Sequence, residues 1–114
     1  MIKARTSGNI SIFDIVGTSS DTELTKQTNL TSLLREIDEC YRLNRRQIIV
    51  NLERVSCIDF DAVIELTMKQ SSREGLLICF YGMQSRVRHA LKNSGFLEFF
   101  DVYTSQREAL ESFK

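Results

Sequence analysis

Ile48-Ile49-Val50-Asn51-Leu52 is nearly continuous in apolar residues and lies between two stretches whose apolar residues recur at helical spacing. A strand reads this way when both of its faces are covered, so the run predicts a central strand of a helix-covered sheet. Before it, Leu30, Leu33, Leu34, Ile37 and Tyr41 form one stripe of an amphipathic helix that Arg45 and Arg46 close, and Ser20 with Glu23 has capping-box spacing ahead of it. After it, a second helix is expected from about Asp61 to Arg73, with Val63, Ile64, Thr67 and Met68 facing inward and Gly75 as its stop.

The rest of the chain extends the alternation. Ile2 to Arg5 and Ile10 to Val16 flank Ser7-Gly8-Asn9, a turn of hairpin length. Leu76 to Tyr81 is another apolar strand, and Gly82 turns it into a short helix with Val87, Ala90 and Leu91 on one side and Ser94-Gly95 at its end. Phe99 to Tyr103 reads as a strand, and Ser105 with Glu108 opens a last helix through Ala109, Leu110 and Phe113. An N-terminal β-hairpin and a mixed central sheet packed with about four helices make an α/β protein, read as one domain over residues 1–114.

At 114 residues the chain can bury a core without metals or disulfides. Lys plus Arg and Asp plus Glu each total 15, so no basic field exists to hold nucleic acid or an anionic membrane. Cys40, Cys57 and Cys79 are odd in number and widely spaced, which argues against a disulfide framework or a zinc site and suits a reducing cytoplasm. No apolar run is long enough to span a bilayer, and the start lacks the succession of a signal peptide, so no membrane insertion is expected. Nucleophile-elbow, P-loop, zinc-protease and dinucleotide-binding patterns are all missing, and no cofactor is expected.

The chemistry concentrates at Val55 to Ala62, V-S-C-I-D-F-D-A, where a strand passes into a helix with two carboxylates at the joint. A helix N-terminus favours negative charge, so Asp59 and Asp61 suit capping, worth about 1 kcal/mol. Phe60 is either an exposed aromatic anchor or, the reading preferred here, a core residue folded under the turn, and Cys57 reads as a small buried hydrophobe. His89, among Arg86, Arg88 and Lys92, belongs to a solvated basic face rather than to a metal site or a catalytic pair.

The runs I-I-V-N-L-E-R-V-S-C-I-D-F-D-A, G-L-L-I-C-F-Y-G and V-R-H-A-L-K-N-S-G-F-L-E-F-F, with the terminal E-A-L, resemble the STAS family of anti-sigma factor antagonists and cytoplasmic domains of sulfate transporters. The resemblance covers nearly the whole chain and implies a STAS-like fold. It also implies a non-catalytic module that binds an anti-sigma factor acting as a serine kinase, and so a role in sigma factor and transcription regulation. In antagonists of this family the turn reads D-S-S-G or D-S-T-G, and the second hydroxyl residue accepts phosphate from the kinase. Matched to that pattern, Asp59 is similar to the family aspartate, Phe60 takes the first serine, Asp61 the phosphoacceptor and Ala62 the glycine. The acceptor hydroxyl is gone, and Ser20 in Val16-Gly17-Thr18-Ser19-Ser20 stands where the family usually has an aspartate.

A phosphoserine carries about −1.5 to −2 charges and three acceptor oxygens, whereas an aspartate has one charge and two oxygens on a shorter arm. A partner tuned to reject phosphate is repelled by Asp61, and a partner offering Arg or Lys is held by it; the sequence leaves both signs open. The expected binding face comprises Asp59, Phe60, Asp61, Ala62 and Val63 with the loops at Ser19-Ser20 and Gly82-Met83, on a monomer or weak homodimer. Three alternatives stand beside this reading. One is a STAS subunit of a membrane transporter complex, and another is a site for a nucleotide or lipid near the same turn. The third is a receiver-like domain phosphorylated on Asp61, whose Mg²⁺ pocket would be underbuilt because Gly17-Thr18-Ser19 and Tyr103-Thr104-Ser105 replace its acidic pair and lysine.

Overall fold

The structure is a computed structural model and describes residues 1–17, 22–25 and 28–114. Strands β1 (Ile2–Ser7) and β2 (Ile10–Ile15) pair antiparallel around Gly8, whose φ of 60° fits a tight hairpin. A short strand β3 (Thr22–Leu24) follows, then helix α1 (Leu30–Arg42) and strand β4 (Gln47–Asn51). Strand β5 (Val55–Ile58) leads directly into helix α2 (Phe60–Ser72), and strand β6 (Leu77–Tyr81) into helix α3 (Ser85–Asn93). A 3-10 turn (Leu97–Phe99), strand β7 (Asp101–Tyr103) and helix α4 (Gln106–Glu111) complete the chain.

The main sheet runs β1-β2-β4-β6-β7, antiparallel at the hairpin and parallel elsewhere, so it is mixed as expected. Strand β4 lies in its middle because Ile48 and Val50 point to one covered face and Ile49 to the other. On the first face Phe13, Ile15, Ile78 and Phe80 pack with Leu33 and Ile37 of α1 and Ala62 and Leu66 of α2. On the second, Ile12, Ile49, Cys79 and Tyr81 pack against Ala109 of α4. Together the two layers cover both faces of the sheet.

Several sequence expectations need correction. Glu23 sits in β3, not in a helix cap; α1 begins only at Leu30, with Asn29 at its N-cap in a left-handed conformation (φ 69°). Strands β3 and β5 form a separate two-stranded parallel sheet that periodicity does not reveal, since three residues carry too little pattern and the pairing is long-range. Phe99 belongs to the 3-10 turn rather than to β7, and Ala90 is exposed while Val87 and Leu91 are buried. The capping box at the last helix holds in modified form. Ser105 accepts from the Glu108 N–H at 3.2 Å, but Glu108 reaches back to Thr104.

Candidate functional site

Asp59 stands between β5 and α2 with extended backbone (φ −89°, ψ 172°), and its Oδ1 accepts the Ala62 N–H at 2.8 Å. The aspartate therefore caps α2, satisfying one of the amides that the first helical turn leaves without an internal acceptor. Its own N–H donates to the Leu24 carbonyl at 3.4 Å, which ties the turn to β3. Ala62 and Val63 are buried beneath the turn, Val63 with Val87 and Leu91 of α3. They anchor the turn from below and present no surface of their own.

Phe60 and Asp61 point outward. Phe60 is 59 % exposed and not folded into the core, which corrects the preferred sequence reading. Its ring stands edge-on to Phe96, with centroids 4.7 Å apart and planes at 89°. The aromatic is thus held in place by the segment after α3 while most of its surface meets solvent. Asp61 is exposed in the first turn, where the helix dipole favours its charge.

The inward face of α2 is Ala62, Val63 and Leu66; Ile64 and Met68 are 39 % and 60 % exposed. This corrects the expected assignment of Ile64 and Met68 to the core. The helix carries two apolar stripes. Ala62 and Leu66 face the sheet core, which leaves the stripe Phe60, Ile64 and Met68 outside. Phe99, 57 % exposed, adds to the same aromatic group through Phe96, with ring centroids 6.2 Å apart.

Gly82 turns the chain after β6 with φ 74°, and a side chain there would collide with Glu53. Met83 beside it is half-buried and packs with the Val63 group, so this loop supports the turn from below. Ser19 and Ser20 lie outside the described residues. Cys57 is exposed rather than buried: it lies on β5, whose core contact is made by Val55 and Ile58. His89, Arg86, Arg88 and Lys92 are exposed along α3. Among the described residues no group of His, Cys, Asp and Glu side chains could hold a metal ion, and no helix is long and apolar enough to cross a membrane.

The profile of the STAS domain family matches residues 1–109. The chain belongs to the STAS domain family. Its fold is similar to the Bacillus cell-fate determinant SpoIIAA, an anti-sigma factor antagonist, in its unphosphorylated form (TM-score 0.69, 16 % identity, covering 99 % of this chain and 96 % of that one). It is also similar to an anti-sigma factor antagonist from Mycobacterium paratuberculosis (TM-score 0.74, 10 % identity, covering 98 % and 92 %). A third similar structure is a sulfate transporter family protein from Wolinella succinogenes (TM-score 0.64, 20 % identity, covering 91 % and 84 %). At these identities the likeness is one of fold. Among curated protein sequences none matches this chain.

Proposed function

We propose that this STAS domain is a non-catalytic, cytoplasmic protein-binding module that engages an anti-sigma factor of the serine kinase type, without being switched by phosphorylation at its turn. One observation carries the reading: Phe60 and Asp61 stand exposed side by side on the first turn of α2, fixed by the Asp59 cap and the Phe96 ring. The similar fold of anti-sigma factor antagonists supports an anti-sigma factor as the partner. Aromatic anchors with restrained rings are favoured at interfaces because they lose little freedom on binding.

A carboxylate at the position that matches the phosphoacceptor removes the hydroxyl a kinase would need. Asp61 supplies a carboxylate without any covalent modification, so binding at this face does not await a kinase reaction. Affinity capture from native lysate, with wild type beside Asp61→Ser and Asp61→Ala, tests the proposal. Retention of a kinase-like anti-sigma factor in amounts that change with Asp61 supports it. Retention of membrane transporter components instead would move the assignment to a transport subunit, a reading supported by the similar fold of the sulfate transporter family protein.

A further inference from the structure

We infer that the outer side of α2 receives an amphipathic helix from the protein partner, one whose apolar anchors are flanked by Lys or Arg spaced one turn apart. The inference deepens the reading above, on which it rests, by specifying the chemistry that the partner must present. Phe60, Ile64 and Met68 follow one another at every fourth residue and so form a single ridge down α2, exposed by 59 %, 39 % and 60 %. Contiguous apolar surface of this kind on a soluble domain marks an interaction site more often than chance.

The ridge is not a small-molecule pocket. The crevice between α2 and the 3-10 turn, lined by Leu66, Thr67, Gln70, Phe99 and Phe100 and by none of the ridge residues, has a volume of about 10 Å³. That is room for about one water at most. An extended peptide is also a poor match, because the middle of a helix bonds its own amides and carbonyls and has none to offer an added strand. A second helix matches the ridge, since its own rows of side chains can lie beside residues repeating at four-residue intervals.

Charge specifies the flanks of that helix. Asp61 and Glu65 form a second exposed row, one turn apart and next to the ridge. Neither takes part in an ion pair among the described residues. The nearby cation on α2, Lys69, is turned to Asp38 of α1 at 3.0 Å, and Arg73 also reaches Asp38, so α2 offers these two carboxylates no compensation from within. Two unpaired carboxylates beside an apolar ridge select a helix with two cations beside its anchors.

The test uses the full chain and two synthetic helical peptides of about 18 residues, long enough to hold helical structure. They share the same leucine anchors, and one has lysines on the flanks where the other has glutamates. Fluorescence anisotropy should show the lysine peptide binding at least about tenfold more tightly, with Asp61→Lys/Glu65→Lys reversing the preference and Met68→Gln weakening both peptides alike. Circular dichroism of each variant confirms that it is folded. Failure of the lysine peptide to bind, or a preference that survives the charge reversal, would overturn the inference. If lysate capture returns an anti-sigma factor that Met68→Gln and Asp61→Lys/Glu65→Lys retain as well as wild type does, the inference fails and the functional reading stands. If the peptide preference holds but capture returns transporter components, the reading fails and the inference stands.

Discussion

The ring of Phe60 meets the ring of Phe96 edge-on at 4.7 Å, so the first residue of α2 is braced by the segment that follows α3. Residues 36 positions apart thereby hold one exposed aromatic in a fixed direction. Replacing Phe96 by Ala removes the brace without touching the exposed surface of Phe60. The expected result is a partner affinity reduced several-fold, mainly through the cost of ordering Phe60 on binding, about 0.5–1.5 kcal/mol for an immobilised side chain. Titration calorimetry with the captured partner, beside Phe60→Ala as the full loss, checks it.

The cap on α2 is separable from its binding surface. Asp59 accepts from Ala62 through its side chain, so Asp59→Ala should lower stability by about 1 kcal/mol, while Asp59→Ser or Asp59→Asn should restore most of it. Urea unfolding curves with unchanged slope test this. A full loss in the Asn variant would show that the charge of Asp59, and not its capping oxygen, matters.

How much of this was legible before the structure depended on the element. Strand β4 could be read because Ile48, Ile49 and Val50 are apolar on both faces, which few other environments allow. The α1 stripe could be read because Leu30, Leu33 and Ile37 are apolar and the opposite side is polar. In helix α2, Ala62 and Leu66 compete with Ile64 and Met68 as the inward face. Periodicity finds a face, but it does not say which of two apolar faces the sheet will cover. The exposed ridge of the candidate site was hidden for that reason, and β3 because its partner β5 lies about 30 residues away and forms no local pattern.

Gly82 and Gly95 both have positive φ, 74° and 80°, but differ in surroundings. A side chain at Gly95 meets nothing within 4 Å, and one at Gly82 collides with Glu53. Gly95→Ala should therefore cost about 1–2 kcal/mol from backbone strain alone. Gly82→Ala should cost clearly more and shift the loop beneath the turn, seen as a lower thermal midpoint and weakened partner binding together.

The hairpin carries an ion pair that should make stability fall in acid. Arg5 donates to both carboxylate oxygens of Asp14, at 2.6 and 2.8 Å, and Asn51 donates to one of them at 2.8 Å. These hydrogen bonds, Arg5 first, hold the Asp14 carboxyl below its ordinary value of 3.8. Because the folded value is depressed, this stabilisation is complete above the unfolded carboxyl's pKa and disappears as pH falls through the folded one. Asp14→Asn should flatten the acid limb of the stability profile below about pH 4 and leave its shape near neutrality unchanged. Unfolding midpoints collected from pH 2 to 7 would show whether the limb belongs to this pair.

The cysteines should separate by reactivity. Cys79 is buried in the sheet, and burial pushes its thiol up to about 11, while Cys57 is exposed on β5. Iodoacetamide at neutral pH should alkylate Cys57 in the folded protein and reach Cys79 only after denaturation. Peptide mass mapping reads both sites, and rapid labelling of Cys79 would indicate that α4 does not stay closed over the sheet.

The most direct test of the central claim is to incubate the immobilised chain with its captured anti-sigma factor and ATP, following both bound partner and phosphate by mass spectrometry. On the proposed reading, in which Asp61 takes the acceptor position, the wild type should keep its partner and gain no phosphate on any hydroxyl from Phe60 to Thr67, while Asp61→Ser should acquire phosphate at the turn and release the partner. Stoichiometric phosphate on a wild-type hydroxyl in that stretch, with release of the partner, would contradict the account.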